Sequence, residues 1–475
     1  MPFSLFDDAG GVNMQYLIDD TIVAVATPSG SGGVAVIRIS GKSAFSCADK
    51  FFEPIRGELP SQMQGYTCSY GYFIDQERQI LDDVVLTVFR NPHSYTGEDV
   101  VEISCHGGRF LSQKILRTIL TSPEVRLAQA GEFTKRAFLN GKLSLTQAEA
   151  VADLISASGE NALKYARTLR EGATFRKISA FSQTLLEILS DLAVWADYPD
   201  EDIPGVDAQA LEVKIQQLLS EMNQLMSSYD YGRILREGLH TVIVGKPNVG
   251  KSTLFNVLSG FERSIVTEIA GTTRDVVEEQ IRFGDVTLRL SDTAGVHHTD
   301  DKVEQIGVER SLSALEQADL ILAVLDMSNS ISDEDKLLLE KLPEDKTILI
   351  YNKSDKSISE FQKNQLFNFS PVETVEISAK HQKNLTALQQ AVENFASRHA
   401  TPAEDGMIAN ERQRTCLQEA INAVQEALDA LQMGLAFDAV TVSLDAAADA
   451  LLQLTGEKVT DKVVDTVFER FCVGK

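Results

Sequence analysis

The chain has 475 residues, which is long for one hydrophobic core, so roughly two to four domains are expected. With 43% apolar and 24% charged residues, its composition is that of a globular protein and excludes a disordered one. The formal net charge of −25 argues against duplex nucleic acid as a general partner, because no broad basic surface can neutralise phosphates. RNA held by a local basic patch or by a partner subunit stays open.

The cysteines and the amino terminus indicate the compartment. No apolar run reaches membrane-spanning length, and the first residues lack a basic region followed by an apolar one. The cysteines are odd in number and lack C-x-x-C spacing, which suits a reducing compartment and argues against zinc. They are Cys47, Cys68, Cys105, Cys416 and Cys472. The sequence therefore predicts a cytoplasmic protein, with residues 1–20 as a loosely attached extension.

The amino-terminal residues 1–137 predict a mixed α/β domain. Apolar runs predict strands over 21–26, 34–39, 83–89 and 99–104. Helical spacing predicts a helix over 110–120. Arg38 and Glu102 interrupt two of these strands, and the pattern alone favours both pointing outward on half-exposed strands. His106 stands in the run C-H-G-G, where a turn and a ligand are equally good interpretations.

Helical spacing dominates two stretches, 138–236 and 401–475. An acidic segment containing Pro199 and Pro204 interrupts the first stretch, because proline does not continue a helix. Apolar stripes at this spacing are typical of a bundle core rather than of cofactor contacts. One helical domain is therefore predicted to be split in sequence, with a nucleotide domain at 237–400 inserted between its halves.

A phosphate-binding loop lies between a predicted strand and a predicted helix. The run GKPNVGKS at 245–252 fits G-x-x-x-x-G-K-[ST] at every fixed position. Gly245 and Gly250 let backbone N–H groups approach a phosphate chain. Lys251 supplies a charge for the β- and γ-phosphates, and Ser252 can ligate Mg²⁺. The alternative is a glycine-rich turn with a lysine of no function, and the flanking strand and helix disfavour it.

Three further motifs follow in the order of a doubly wound sheet, DTAG at 292–295, NKSD at 352–355 and SAK at 378–380. Asp292 can reach the Mg²⁺ shell, and the Gly295 N–H can meet the γ-phosphate. Asp355 can accept two hydrogen bonds from guanine that adenine does not offer. Because each motif stands at a predicted strand end, together they predict a Ras-like GTPase.

The position after DTAG departs from Ras-like enzymes, which place a glutamine there to orient the attacking water. Here it is Val296, so another residue must position the water. His297 and His298 are better explained as solvated loop residues, and Glu304 is either the water-positioning group or a surface charge. No arginine finger is evident, and Asn248 offers an oxygen that can hold a monovalent cation in its place.

Four runs resemble one family, the tRNA-modifying GTPase MnmE, also called TrmE. They are GEDVVE at 97–102, GEFTKRAFLNGK at 131–142, GTTRD at 271–275 and the terminal FCVGK at 471–475. The resemblance extends over 21–475. It implies a multidomain α+β and α/β fold with an amino-terminal folate-binding and dimerisation domain, a discontinuous helical domain and an inserted Ras-like P-loop GTPase domain.

The resemblance also implies the reaction. Members are K⁺-dependent GTPases activated by dimerisation. With the flavoprotein MnmG, which carries FAD, they add an aminomethyl or carboxymethylaminomethyl group to C5 of the wobble uridine of tRNAs. The one-carbon unit comes from 5,10-methylene- or 5-formyl-tetrahydrofolate. The implied assembly is a homodimer that joins MnmG in a heterotetramer or larger complex.

Roles for individual residues follow from the same resemblance, with Glu304 as the catalytic glutamate and Cys472 as a second catalytic candidate. Folate would be held by Arg38, Glu102, Lys142 and Lys475. The ions would be held by Asn248, Thr267, Ile269 and Thr272 for K⁺, and by Ser252 and Thr273 for Mg²⁺. The GTP contacts would be Asn248, Val249, Gly250, Lys251, Ser252, Thr253, Thr267, Glu268, Ile269, Ala270, Gly271, Thr272, Thr273, Asp292, Thr293, Ala294, Gly295, Asn352, Lys353, Asp355, Ser378, Ala379 and Lys380.

Two other functions remain as alternatives. A ribosome-assembly GTPase shares the phosphate loop and the guanine motif, but it has no need of Arg38, Glu102 and Lys142. A regulator that senses folate and GTP would carry every motif and yet leave tRNA modification unaffected.

Overall fold

The computed structural model describes residues 20–28, 30–157, 159–197, 207–261, 278–291, 315, 317–356, 369–399, 406–469, 471 and 474. The chain divides into two compact units, one formed by Met1–Glu149 with Thr455–Lys475 and the other by Ala150–Leu454. Both ends of the chain therefore belong to the first unit. The four-part division predicted from the sequence, with its boundaries, stays a prediction.

The first unit is built on a mixed sheet. Its described strands are β1 (Thr21–Val25), β2 (Val34–Ser40), β3 (Phe52–Pro54), β4 (Thr67–Ile74), β5 (Ile80–Phe89), β6 (Val100–His106) and β7 (Val125–Leu127). They lie in the order β3-β4-β5-β6-β2-β1-β7. Neighbouring strands are antiparallel except β1 and β7, which are parallel.

One face of this sheet packs against helices. The helices of this part are α1 (Ala44–Phe51), α2 (Arg109–Ile119), α3 (Glu132–Leu139) and α4 (Leu145–Ser156), the last of which begins in the first unit. Ile37 and Ile103, on adjacent strands, are buried with Phe45 and Ile115 in one core. Because side chains alternate across a strand, the residues between these apolar positions, Arg38 and Glu102 among them, lie on the other face.

The second unit begins with helices and continues into a sheet. The helices are α5 (Glu160–Arg170), α6 (Ala173–Asp197), α7 (Ala208–Met226) and α8 (Tyr229–Glu237). The strands are β8 (Leu239–Val244), β9 (Glu278–Phe283), β10 (Val286–Ser291), β11 (Leu320–Asp326), β12 (Thr347–Asn352) and β13 (Glu373–Glu376). They lie in the order β13-β12-β11-β8-β10-β9, parallel except that β9 is antiparallel to β10.

Apolar cores cover both faces of this second sheet. Its helices are α9 (Lys251–Ser259), α10 (Asp333–Leu339) and α11 (Leu385–Ala396), with 3₁₀ turns at Glu344–Lys346 and Ser397–His399. Leu254 and Leu388 pack on one face, and Leu339 packs on the other. Strands buried on both faces need continuous apolar runs, which is why β11 reads Leu-Ile-Leu-Ala-Val-Leu before its final aspartate.

The inserted arrangement predicted from the sequence is confirmed. The bundle is completed after the sheet by α12 (Glu411–Gln432) and α13 (Phe437–Thr455). Ile188 and Leu218, which precede the sheet in the chain, share one buried core with Leu417 and Leu444, which follow it. The helical domain is therefore discontinuous in sequence.

Within the first unit, the carboxyl-terminal segment packs against α3. It contains α14 (Asp461–Phe468), and Lys135 Nζ lies 2.6 Å from Asp465 Oδ1. Gly131 has a φ of +66°, and a Cβ there would lie 2.6 Å from the Phe468 carbonyl oxygen. Glycine at 131 therefore permits both the turn before α3 and the close approach of the carboxyl-terminal segment.

A buried arginine joins distant parts of the first unit. The side chain of Arg136 is 1% exposed, and its guanidinium contacts three carboxylates. It lies 2.7 Å from Asp20, 3.1 Å from Glu98 and 3.0 Å from Glu132. Burial alone would raise the pKa of Asp20 and Glu132, but hydrogen bonds from Arg136 and Arg126 outweigh it and lower both.

We expect Arg136→Ala to lower the free energy of unfolding by about 3 kcal/mol, because it removes the arginine partner of the nearly buried Glu98 and leaves Asp20 and Glu132 with Arg126 alone. This is the lower end of the range for a broken buried pair, since Asp20 is 43% exposed. Denaturant unfolding measures the change, and Arg117→Ala, at an exposed position of α2, is the control, with a loss below about 0.5 kcal/mol. Equal losses in the two variants would contradict this role.

The pH dependence of this network has a defined sign. Asp20 and Glu132 have lowered pKa values in the folded chain, so their contribution is present above the ordinary values of 3.8 and 4.5. That contribution is lost as the pH falls through the folded pKa values. The stability difference between the parent chain and Arg136→Ala should therefore shrink in acid.

Candidate nucleotide-binding site

The phosphate loop joins the carboxyl end of β8 to the amino end of α9. Gly250 caps α9 with a φ of +106°, and a Cβ there would lie 2.2 Å from the Asn352 amide nitrogen. A Cβ at Gly245 would lie 2.5 Å from the Val324 carbonyl oxygen. Both positions therefore exclude a side chain, which leaves the backbone N–H groups at the helix terminus open to an anion.

Lys251 folds back over this loop. Its Nζ donates to the carbonyl oxygens of Gly245 and Lys246, each at 2.7 Å. Burial lowers the pKa of this lysine. Ser252 and Thr253 follow on the first turn of α9 and are exposed. The charged amine and the Ser252 hydroxyl therefore stand at the place where a triphosphate and its metal ion would lie.

Asn352 ties the phosphate loop to the loop after β13. Its side-chain amide donates to the Val249 carbonyl oxygen at 2.9 Å. Its oxygen accepts from the Ala379 N–H at 3.0 Å. The first residue of NKSD therefore fixes the phosphate loop and the SAK segment relative to each other, while Lys380 at the end of that segment is exposed.

Lys353 makes a second connection. Its Nζ donates to the Asn248 carbonyl oxygen at 2.8 Å and to Asp326 Oδ2 at 2.6 Å. Sequence reasoning missed Asp326, which is the last residue of β11. A signal was present, because a carboxylate at the end of an apolar parallel strand stands at the edge where α/β sheets bind ligands.

Asp355 is prepared to act as an acceptor. The Ser378 hydroxyl donates to its Oδ1 at 2.5 Å, and His381 Nε2 lies 3.5 Å from its Oδ2. The hydrogen bond from Ser378 lowers the pKa of Asp355, so the carboxylate is ionised at neutral pH. An ionised carboxylate held from one side can accept hydrogen bonds from the two neighbouring donors of guanine.

The charged residues on the strands of the first unit form a second candidate site. Arg38 and Glu102 are register partners, and Arg38 Nε donates to Glu102 Oε1 at 2.8 Å. The guanidinium lies over the rings of Tyr95 and Phe133, with 5.7 and 5.5 Å to the centroids. Its Nη1 lies 3.5 Å from the Gly474 carbonyl oxygen. The pair is thus partly covered instead of simply pointing to solvent.

Lys142 is held by the loop that precedes β6. Its Nζ donates to the Pro92 carbonyl oxygen at 3.0 Å. The same loop carries Tyr95, whose ring lies under Arg38. The structure therefore brings Arg38 and Glu102 into direct contact, and among the described residues it links Lys142 to them through this loop.

Comparison with known proteins identifies the family. A profile described as the MnmE helical domain matches residues 145–472, and one described as the GTP-binding protein TrmE N-terminus matches residues 21–142. The tRNA modification GTPase MnmE of Clostridioides difficile is 43% identical over 460 residues, covering 96% of this chain and all of that protein. The chain belongs to the MnmE family of tRNA modification GTPases.

Other relatives agree with membership of the MnmE family. The tRNA modification GTPase MnmE of Desulforamulus reducens is 40% identical over 464 residues, which cover 97% of this chain and 100% of that protein. Among solved structures, the G domain of the T. maritima FeoB iron transporter is 25% identical with a TM-score of 0.26, and covers 33% of this chain and 98% of that chain. As an MnmE-family protein, the chain is a GTP hydrolase that acts in tRNA modification.

Several candidate residues of this MnmE-family chain lie outside the described residues, so their predicted roles stay predictions. They are Thr267, Glu268, Ile269, Ala270, Gly271, Thr272, Thr273, Asp292, Thr293, Ala294, Gly295, Glu304, Cys472 and Lys475. The same holds for Val296, His297 and His298. In the part of the chain that is described, no helix has the length and apolar character needed to cross a membrane.

His106, left open between a turn and a ligand, is the last residue of β6. Its Nδ1 lies 2.7 Å from Asp82 Oδ1, and its backbone N–H donates to Asp82 Oδ2 at 2.8 Å. The hydrogen bond to Asp82 raises the pKa of His106 above its ordinary 6.5. The contribution of this pair to stability is therefore present below pH 6.5 and is lost as the pH rises through the folded value.

We expect Asp82→Asn to lower the pKa of His106 toward its ordinary value, because the charged acceptor is removed. Titration of the His106 ring resonances by NMR measures this directly. Glu77→Gln, which removes an exposed carboxylate of the same unit, serves as the control and should leave the His106 curve unchanged. An unchanged His106 curve in Asp82→Asn would show that the contact with Asp82 has no electrostatic effect.

Proposed function

We propose that the chain is a K⁺-dependent, dimerisation-activated GTPase that works with the flavoprotein MnmG. Together they would install an aminomethyl or carboxymethylaminomethyl group at C5 of the wobble uridine of tRNA, with the carbon supplied by a tetrahydrofolate. Family membership supports the tRNA reaction over ribosome assembly. The observation that carries the folate part is the contact of Arg38 with both Glu102 and the Gly474 carbonyl oxygen.

The chemistry of this cluster suits a folate. A reduced pterin ring offers neighbouring N–H and amino donors, which a carboxylate such as Glu102 can accept, and oxygen acceptors for a guanidinium. The aromatic rings of Tyr95 and Phe133 provide apolar surface beside Arg38. Lys142 would meet the carboxylates of the glutamate tail. We infer the same role for Lys475, which follows Gly474 in the chain.

Seating of the carboxyl terminus supports this arrangement. Gly474 has a φ of +101°, and a Cβ there would lie 2.4 Å from the Val25 carbonyl oxygen. Phe471 is buried and its ring lies 5.3 Å from that of Phe468. In the sequence, Cys472 lies between Phe471 and Gly474, and both of these residues are packed against the first unit's other parts. We therefore propose that Cys472 acts beside Arg38 in the one-carbon reaction.

The ion sites are proposed from the same loops. Ser252, in the first turn of α9, would hold Mg²⁺ together with Thr273. Asn248 has a φ of +65°, and its carbonyl oxygen is bound by Lys353, so its side chain would be the K⁺ ligand, with Thr267, Ile269 and Thr272. A cation there would supply positive charge at the phosphates, where other GTPases use an arginine finger. Glu304 would position the attacking water.

The proposed coupling is an order–disorder switch of the kind found in other GTPases. Residues 267–273 would be ordered when K⁺ and the γ-phosphate are both present, and the facing subunit of a homodimer would stabilise that state. Closure of the two nucleotide domains would then act on the helical and folate-binding parts. With a net charge of −25, the chain would need the partner to hold tRNA.

Calorimetric titration with 5-formyl-tetrahydrofolate tests the folate part. We expect the parent chain to bind and Arg38→Ala to lose at least about tenfold in affinity, since one charge-assisted hydrogen bond contributes about 1.5–3 kcal/mol. Arg56→Ala, at an exposed position of the same unit, is the matched control and should bind normally. Absence of binding by the parent chain would contradict the proposal.

A different measurement distinguishes a regulatory role from participation in tRNA modification. A sensor of folate and GTP would leave modification intact, so deletion of its gene would not alter the wobble uridine. The proposal expects that deletion removes the aminomethyl-type nucleosides from tRNA. Mass spectrometry of digested tRNA distinguishes the two outcomes.

A further inference from the structure

In sequence, the β9–β10 hairpin connects two candidate segments of the GTPase site, residues 267–273 and the DTAG run at 292–295. In the chain, β9 begins at Glu278, which follows Thr273 by five positions, and β10 ends at Ser291, directly before Asp292. The turn between the strands is formed by Gly284 and Asp285. Because β10 also pairs with β8, which leads into the phosphate loop, the hairpin is tied to the nucleotide site at its base.

The tip of this hairpin is hydrogen-bonded to α11. The Asp285 N–H donates to Glu393 Oε1 at 3.2 Å, and the Gln389 side-chain amide donates to the same oxygen at 3.0 Å. Gly284 has a φ of +69°, and a Cβ there would lie 1.9 Å from Glu393 Oε1. Glycine at 284 therefore allows the carboxylate to reach the turn.

The same tip touches the helical bundle. Gly159 caps α5, and a Cβ there would lie 2.9 Å from the Asp285 carbonyl oxygen. Gly238 joins α8 to β8 with a φ of +84°, and a Cβ there would lie 2.7 Å from the Thr287 carbonyl oxygen. At Gly159 the cap of α5 therefore meets the hairpin backbone to backbone, and at Gly238 the end of α8 meets both the backbone and the side chain of Thr287.

A cavity lies next to these contacts. Its volume is about 200 Å³, and its lining includes Asn161, Tyr231, Asp285, Glu393 and Asn394. The lining thus comes from α5, α8, the hairpin and α11. Since dense packing opposes motion, this free space gives the side chains that line it room to move when the tip shifts, while the backbone contact at Gly159 is kept.

We propose that Gly159, Gly284 and Glu393 are positioning residues of the GTPase cycle. Glu393 and Gly284 hold the hairpin tip against α11, and Gly159 lets the tip press directly on the cap of α5. A nucleotide-dependent shift of the hairpin then reaches the helical bundle at α5. The proposal depends on the GTPase activity of the family and is independent of folate, K⁺ and MnmG.

Hydrogen exchange of the α5 amides, 160–170, tests this route in the full-length chain. In the parent chain we expect exchange to differ by about threefold or more between the GDP state and the state with a non-hydrolysable GTP analogue, as for a locally opening element. Glu393→Ala should remove most of that difference. Glu393→Gln keeps an acceptor oxygen for the Asp285 N–H and should restore it.

Matched measurements separate the proposed role from a general loss of structure. Thr386→Ala, at an exposed position of α11, should behave as the parent chain. GTP hydrolysis in Glu393→Ala should stay within about twofold of the parent rate, because the tip is remote from the phosphate loop along the hairpin. Gly159→Ala, which forces the tip away from α5, should lose the exchange difference with hydrolysis retained.

Two results would overturn the proposal. One is equal exchange of α5 in both nucleotide states of the parent chain. The other is a full difference retained in both Glu393→Ala and Gly159→Ala. If Glu393→Ala fails to fold, Gly159→Ala decides alone. Failure of folate binding would leave all of these results unaffected, so the two proposals are tested separately.

Discussion

Asp355→Asn is expected to weaken GTP binding by about a hundredfold and to create binding of xanthosine triphosphate. The carboxylate can accept from both guanine donors, N1–H and the 2-amino group, while an asparagine presents one acceptor and one donor. A lost hydrogen bond to a charged group costs about 1.5–3 kcal/mol, and 1.4 kcal/mol is a tenfold change. Xanthine replaces the 2-amino group with an oxygen, which the asparagine amide can donate to.

Competition binding with a fluorescent nucleotide measures both affinities. Asp345→Asn, at an exposed position of a 3₁₀ turn, is the control and should leave GTP binding unchanged. The Ser378 hydroxyl still has an oxygen to donate to in Asp355→Asn, so the loop is expected to keep its position. A loss of GTP affinity with no gain of affinity for xanthosine triphosphate would indicate collapse of the loop and contradict the assigned role.

Lys251→Ala is expected to reduce GTP hydrolysis by about 10²- to 10³-fold, the usual effect of removing one donor aimed at developing charge. In the structure its amine donates to the backbone oxygens of Gly245 and Lys246, which the phosphates would replace. Hydrolysis is measured as phosphate release at saturating GTP. Lys341→Ala, which removes an exposed lysine, should retain the parent rate. A rate within a few-fold of the parent in Lys251→Ala would rule out this function for the loop.

The nucleotide site was predictable because its chemistry is local in sequence. The phosphate loop and NKSD each combine a strand end with a fixed spacing, and parallel strands bring such ends to one edge of a sheet. The runs 276–282 and 286–290, on either side of a Phe-Gly-Asp turn, also predict a hairpin, and the structure confirms it over the described residues from Glu278. The motifs do not show the hydrogen bonds that connect one motif to another. An example is the Asn352 side chain, which links Val249 to Ala379.

Some elements of the first unit gave weaker signals. The strand β4 was missed because it carries Gly71 in its interior and polar residues at Thr67 and Ser69, which blur the alternation. The short helices α1 and α3 were also missed, since eight residues give little more than two turns of apolar spacing. Helical spacing over 462–471 predicts a last helix that ends at Phe471, whereas α14 ends at Phe468.

Long-range pairs explain the remaining differences. The strand pattern favoured an outward orientation for Arg38 and Glu102. It could not show the register of the two strands, which sets these residues opposite each other on β2 and β6. Likewise, Arg136 reads as one basic residue of a helix, and only the fold brings Asp20 to it from 116 positions away. A single sequence carries the alternation of a strand, but it does not carry the identity of its neighbours.

We propose that GTP hydrolysis in the inserted domain is required for the uridine reaction carried out with the folate-binding part. Modified-nucleoside analysis of tRNA from cells carrying Lys251→Ala tests it most directly, with Lys341→Ala as the matched control. We expect loss of the aminomethyl-type wobble nucleosides in Lys251→Ala and parental levels in the control. Parental levels in Lys251→Ala, in cells where the purified variant no longer hydrolyses GTP, would contradict it.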